Sequence, residues 1–474
     1  MSRTSAAELA TILRRDLNRY TFDEKLPSSR ELVTRYQVSP VTVSRAIASL
    51  SAEGLVISRP GAGVFRAGAR HATPATRDTS WQEVTLSAEP GNAPERAVDV
   101  GGVLATLAYA EPGVIDLNSG YLHPSLQPEQ LLAAALARAG RRPGSWSRPP
   151  VEGLAELRAW FARDIAGDLT AADVLISAGG QSALTTALRS LAAPGTPVLV
   201  ESPTYPGLLA IARAAGLRPV PVPVDADGVR TDLLTDAFAR TGARLFVCQP
   251  LFQNPTGAVL SPERRDHVRR IARDAGAFVI EDDFAGRLVH ADAPALPPPM
   301  AAGDHEGVVV HIRSLTKPTS PNLRVAALAA RGPAFARMRA VQAVDSFFVP
   351  RPIQEAALEL IAAPAWPRHL RSLAAALQHR RTTLAAAIGQ RRPGLLPERL
   401  PYGGCHLWLR LPDGHDPGTL TAAARREGVA ITPGGPYFTA EPPAPHIRLS
   451  YVHTENTEQL ADGAHRLHQA LGQP

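Results

Sequence analysis

Apolar residues recur at helical spacing from the start of the chain. Leu9, Ile12, Leu13, Leu17 and Tyr20 fall on one face of residues 5–20, which predicts a first helix. Ser28, with Glu31 three positions on, forms a capping box that opens a second helix through Tyr36. Ser39 can cap a third, with Pro40 at its first position, running to about Ser51 and burying Val43, Ala46, Ile47 and Leu50. After Gly54, the runs Leu55-Val56-Ile57 and Gly63-Val64-Phe65 flank Arg59-Pro60-Gly61 and predict strand, turn, strand. Residues 67–112 are rich in Ala, Gly, Pro, Thr and Arg with weak periodicity, the pattern of a linker, with a strand or helix expected near Trp81 to Leu86. From about residue 113, short apolar runs (Val174–Ile176, Val198–Val200, Leu245–Cys248, Phe278–Ile280, Val308–Ile312) alternate with helical stretches. That alternation predicts an α/β unit around a mostly parallel sheet with helices on both faces. Three regions follow: 1–67, a linker over 68–112, and 113–474, with a smaller α+β lobe from about residue 360.

Composition changes this picture in four ways. No apolar run is long enough to span a membrane, and Arg3, Glu8, Arg14, Arg15 and Asp16 interrupt the first 17 residues, unlike a signal peptide. Cys248 and Cys405 lie far apart in apolar surroundings, which points to buried thiols in a reducing compartment, the cytoplasm. Of the net charge of +6, most lies early: residues 1–70 hold eleven Lys and Arg against six Asp and Glu, a nucleic-acid signal. Finally, 48 of the 50 basic residues are arginine, leaving only Lys25 and Lys317. Arginine stays protonated and cannot act as an amine nucleophile, so a lysine retained in such a chain is a candidate for chemistry.

Leu26-Pro-Ser-Ser-Arg-Glu-Leu, Val38-Ser-Pro-Val-Thr-Val, Leu50-Ser-Ala-Glu-Gly-Leu-Val and Pro60-Gly-Ala-Gly-Val-Phe together resemble the GntR-type winged helix-turn-helix. The resemblance implies that the third helix enters the major groove of double-stranded DNA, with Ser39, Thr42, Ser44 and Arg45 near base edges. Arg30 and Arg59 would meet phosphates. Pro40 departs from the family, which commonly has a basic residue there.

Four pieces of the large region resemble fold-type-I pyridoxal-phosphate (PLP) enzymes. Ser177-Ala-Gly-Gly-Gln-Ser-Ala-Leu follows a strand and opens a helix whose N-terminus, at Gly180 and Gln181, offers free N–H groups to a phosphate. Taken alone, a Gly-Gly turn before a helix is common. Asn254-Pro-Thr-Gly follows another strand; the resemblance implies an amide donor to the cofactor's ring oxygen, though an Asx-type turn reads the same way. Glu281-Asp-Asp-Phe ends a third strand, and Asp282 would pair with the pyridine nitrogen. In Ser314-Leu-Thr-Lys-Pro, Lys317 would form the Schiff base, with Ser314 and Arg324 holding the phosphate. Tyr205 would stack on the ring, and Arg448 would grip an amino acid's α-carboxylate. Pro401-Tyr-Gly-Gly-Cys-His-Leu-Trp resembles the small-lobe segment near such sites. Phe284 departs from the pattern: many relatives have tyrosine, whose hydroxyl donates to the ring oxygen. Its loss leaves Asn254 alone there and leans toward sensing over turnover.

A GntR-type reader, a linker and an aminotransferase-like domain make up the MocR arrangement, and this resemblance covers nearly the whole chain. It implies a homodimeric, PLP-dependent transcriptional regulator responding to PLP, an amine or an amino acid, with no metal site. The alternative is a working aminotransferase that carries a DNA-binding domain.

Overall fold

The computed structural model describes residues 5–20, 23–59, 62–67, 99–108, 110–165 and 168–472. The chain divides into two compact units, residues 1–91 and 92–474. The element expected near Trp81 to Leu86 lies outside the described residues.

In the first unit, helix Ala6–Asp16 is opened by a Ser5/Glu8 capping box and gives way to a 3-10 turn at Leu17–Arg19, so the expected helix over 5–20 ends a turn early. Helix Ser29–Tyr36 starts at the reciprocal Ser28/Glu31 box and stops at Gln37, which takes a left-handed φ of 50°. Helix Pro40–Ala52 begins at Ser39, whose hydroxyl accepts from the Thr42 N–H, and buries Val43, Ala46, Ile47 and Leu50. Strands β1 (Val56–Arg59) and β2 (Gly63–Arg66) pair antiparallel. Leu9, Leu13, Leu26, Leu32, Leu50 and Val56 close one small core beneath these elements. The Ser28 cap satisfies two otherwise orphaned N–H groups, and its loss typically costs about 1 kcal/mol. Ser28→Ala is therefore expected to speed amide exchange across helix Ser29–Tyr36 roughly five-fold in the full chain, as read by hydrogen exchange.

In the second unit, strands β4 (Val174–Ser177), β5 (Pro197–Ser202), β6 (Arg218–Asp225), β7 (Gly228–Val229), β8 (Leu245–Cys248), β9 (Phe278–Asp283), β10 (Val309–Ser314) and β11 (Ala326–Ala329) form one sheet. Their order is β4-β11-β10-β9-β8-β5-β6-β7. The stretch β10-β9-β8-β5-β6 is parallel, while β11 and β7 run against it. The uninterrupted apolar runs have a simple cause. Val174, Ile176, Leu199, Phe246 and Val279 face one core, while Leu175, Val198, Val200, Val247 and Ile280 face another on the opposite side. Both faces are covered, so alternation with polar residues disappears.

Three strands of this sheet, β6, β7 and β11, were not legible in the pattern. β6 carries Pro219, Pro221 and Pro223, which argue against a strand; it is tolerated next to the sheet edge, where only its last residues pair with β7. β11 is the short run Ala-Ala-Leu-Ala.

The smaller lobe is a three-stranded sheet ordered β12-β15-β14, from β12 (His406–Arg410), β14 (Thr432–Pro433) and β15 (His446–Ser450). β13 (Val429–Ala430) pairs parallel with β3 (Ile115–Asp116). Ile115, Leu117 and Leu122 lie in this lobe's core, although they precede the large sheet in the chain. The stretch expected as linker contains helix Gly101–Leu107, which belongs to the second unit. Among the described residues no helix is long and apolar enough to cross a membrane, and both cysteines are buried and unpaired.

Candidate functional site

A pocket opens at the carboxyl ends of β4, β5, β8, β9 and β10. That is where an open α/β sheet offers its ligand crevice. Nine residues singled out above line it: Gly180, Gln181, Tyr205, Asn254, Asp282, Ser314, Lys317, Arg324 and Arg448.

Gly179 and Gly180 follow β4. Gly179 has φ +88° and ψ 170°, a conformation open essentially to glycine alone, and it turns the chain straight into helix Gly180–Leu191. No side chain caps that helix, so the first N–H groups lack intrahelical acceptors and favour an anion. Arg324 has a left-handed φ of 48° and donates from Nη2 to the Ala178 carbonyl at 2.9 Å. A carbon added to Gly179 would lie 2.6 Å from the Arg324 guanidinium. Ser314, the last residue of β10, packs against Gly180, and its hydroxyl accepts from the Thr316 N–H at 3.1 Å. Free N–H groups, a guanidinium and a hydroxyl thus make a cradle with the chemistry of a phosphate site.

Asp282 sits near the end of β9, fully buried, and accepts from Gln249 Nε2 at 2.7 Å. Burial pushes its carboxyl up to about 6, against the opposing hydrogen bond from Gln249. Gln249 ties several groups together: its N–H donates to Glu201, and its Oε1 accepts from the Asn254 N–H at 3.1 Å. Burial also raises the Glu201 carboxyl, to about 8, so that acid is protonated at neutral pH. Asn254 Oδ1 accepts from Arg448 Nη1 at 3.3 Å, while Nδ2 has no partner among the described residues. The Tyr205 hydroxyl donates to Gln181 Oε1 at 3.1 Å.

Lys317 lies in the turn after β10. Its Nζ donates to the Gly120 carbonyl at 2.8 Å and sits 4.1 Å from the centre of the Tyr121 ring. Arg448, on β15, is buried, with Nη2 donating to the Asn118 carbonyl at 2.7 Å. Three buried polar atoms at this pocket have no partner among the described residues: Arg448 Nε, Thr316 Oγ1 and His406 Nε2. Buried polar atoms are normally satisfied, so unpaired ones converging on a cavity fit a polar ligand. Phe284 lines the same pocket with a ring that cannot donate.

Gln249, Thr106, Leu107, Gly120, Tyr121 and His406 also line the pocket and were not singled out from the sequence. Gln249 follows directly on the apolar run of β8, and His406 lies inside a motif already noted. Thr106 and Leu107 come from weakly patterned sequence and carried no signal.

In the first unit, Arg30, Ser44 and Arg45 are exposed, and neither arginine makes an ion pair among the described residues. Ser39 is exposed, but its hydroxyl is engaged by Thr42 through both the N–H and, at 2.8 Å, Oγ1. Arg59 pairs with Asp23 and lies 4.5 Å from the Phe65 ring centre.

The family described as bacterial regulatory proteins, gntR family, matches residues 5–65, and aminotransferase class I and II matches residues 112–463. The 2-aminoadipate transaminase of Thermus thermophilus is 30% identical over 76% of this chain and 90% of its own length. The HTH-type transcriptional regulator TauR of Rhodobacter capsulatus is 28% identical over 89% and 86% respectively. Among solved structures, LysN, an alpha-aminoadipate aminotransferase from Thermus thermophilus complexed with N-(5'-phosphopyridoxyl)-L-leucine, superposes with a TM-score of 0.73. It is 29% identical, over 79% of this chain and 95% of that one. Pyridoxal 5'-phosphate is the cofactor of the aminotransferase family. The chain belongs to the aminotransferase class I and II family and carries a GntR-family DNA-binding domain ahead of it, the arrangement of MocR-type transcriptional regulators.

Proposed function

We propose that this regulator binds DNA through residues 5–65 and senses PLP, an amino acid or an amine in the pocket around Lys317. The observation that carries the reading is the convergence in one crevice of an amine, a buried carboxylate and an uncapped helix N-terminus beside Arg324. When bound, PLP supplies an aldehyde that combines reversibly with amines, on a ring that withdraws electrons. The residues present fit such a group. Lys317 would provide the amine, Asp282 would hold the ring-nitrogen proton, and Asn254 would donate to the ring oxygen. Tyr205 would lie against the ring, while Gly180, Gln181, Ser314 and Arg324 would take the phosphate. Arg448 would orient a ligand carboxylate. Arg30, Arg45 and Arg59 would meet DNA alongside Ser39, Thr42 and Ser44. With Ser39 engaged in its cap and Arg59 in an ion pair, the exposed Arg30, Ser44 and Arg45 would contribute first.

A homodimer belongs to the same reading. It is in keeping with the exposure of Trp146 (82%), Val344 (81%) and Phe347 (68%), apolar side chains that a partner subunit would cover.

A ligand alters DNA affinity only through different contacts in two arrangements of the protein, so both must be measured. Purified wild type is expected to take up PLP with an absorbance band that Lys317→Ala abolishes. Its affinity for a duplex selected from a random pool should change several-fold on ligand addition, and that change should vanish in Lys317→Ala. A colourless wild type, or one that selects no duplex, would overturn the reading. A second reading, an active aminotransferase, draws on the likeness to 2-aminoadipate transaminase. Steady amino-group exchange between an amino acid and a keto acid would favour it.

A further inference from the structure

His406 is the largest unexplained feature of the pocket. It is buried, yet its Nε2 has no partner among the described residues. Burial, reinforced by the Arg448 and Lys317 cations, pushes the imidazole well below its usual range, so it is neutral, with one N–H and one lone pair. Register places it with Arg448. On paired strands β12 and β15, Trp408 stands opposite Arg448 and His406 opposite Ser450. Residues two apart share a face, so His406 and Arg448 are diagonal neighbours on the side of the small sheet that lines the pocket.

Gly120 shows where the imidazole is aimed. A carbon added there would lie 3.2 Å from His406 Nε2 and 3.5 Å from Lys317 Nζ. Both nitrogens therefore reach into the same small space, which glycine keeps clear. An amino acid taking the place of Lys317 on the cofactor would carry its carboxylate one carbon beyond its nitrogen, in the pocket that Arg448 and His406 both line.

We propose that His406 is a specificity-determining residue, donating a hydrogen bond to an oxygen of the ligand's carboxylate beside Arg448, so that the pocket favours amino acids over amines lacking that group. This rests on the cofactor reading of the pocket and adds a ligand class to it. A hydrogen bond to a charged acceptor is worth on the order of ten- to a hundred-fold in affinity.

The test is a spectroscopic titration of PLP-loaded full-length protein with L-alanine and with ethylamine. His406→Phe is expected to weaken alanine at least ten-fold and to leave ethylamine within about two-fold, while His406→Gln, which can still donate, recovers part of the loss. Equal weakening of both ligands would mean a packing role and overturn the proposal. So would unchanged affinities, or a wild type that binds alanine no better than ethylamine. A wild type that takes up no PLP would overturn the cofactor reading as well, which separates the two failures.

Discussion

Asp282→Asn is expected to make the cofactor-free protein more stable at neutral pH and, in the same molecule, to weaken its hold on PLP. The carboxyl is buried, with one hydrogen bond among the described residues, from Gln249. Burial raises it to about 6, above the ordinary carboxylate value near 4. The unfolded chain releases this proton as pH passes about 4, whereas the folded chain keeps it until about 6. The contribution of this group to stability therefore falls across that window and stays lower above it, by roughly 3 kcal/mol for a shift of about two units. Asparagine has no charge to bury, so the urea midpoint of the variant should gain on that of wild type between pH 4 and 6 and should exceed it at pH 7. The gain carries a functional loss. An amide cannot hold a ring-nitrogen proton as a carboxylate does, and losing one charged hydrogen bond predicts a ten- to hundred-fold drop in PLP affinity. A variant that binds PLP as tightly as wild type would remove Asp282 from the role assigned to it. A stability difference between variant and wild type that does not widen from pH 4 to 6 would remove the electrostatic account.

Gly179→Ala should leave the protein folded while disabling the phosphate cradle. At φ +88° and ψ 170°, an alanine is strained by on the order of 1–3 kcal/mol. Its methyl carbon would also stand 2.6 Å from the Arg324 guanidinium. That group is the end of a long side chain and can move aside, but only by leaving the helix N-terminus and its bond to the Ala178 carbonyl. The loss should therefore fall on the phosphate more than on the fold. PLP affinity is expected to fall at least ten-fold while affinity for pyridoxal, which has no phosphate, changes little. An unchanged preference for PLP over pyridoxal would show that the cradle lies elsewhere.

How much of this was legible depends on how far apart the interacting residues lie. The capping box at Ser28 and the cap at Ser39 act within three positions, so those two helix starts could be read directly, whereas the equally local Ser5/Glu8 box was not singled out. Lys317 stood out because a chain that otherwise uses arginine retains very few amines. The apolar runs located the strand ends only to within a few residues: they stop at Ile280 and Ile312, whereas β9 continues to Asp283 and β10 to Ser314.

Other features were hidden for physical reasons. The prolines of β6 contradict strand propensity and are tolerated only because of that strand's place beside the sheet edge. Thr106 and Leu107 reach the pocket from a stretch whose composition reads as linker. Gln249 looked like the first loop residue after a strand. Only packing reveals that its amide bonds Asp282 on one side and the Asn254 backbone on the other.

Local periodicity and capping were thus enough to predict the two units and a sheet covered on both faces, and amine scarcity drew attention to Lys317, while the other site residues came from motifs that resemble those of PLP enzymes. These signals come from forces acting over a few residues. Tertiary structure alone decided what those side chains meet. Lys317 reaches the Gly120 carbonyl across 197 positions of chain, and Arg448 reaches that of Asn118 across 330. The unpaired nitrogen of His406, like the raised carboxyl of Asp282, exists only because folding excludes water from that space; no local pattern encodes such burial.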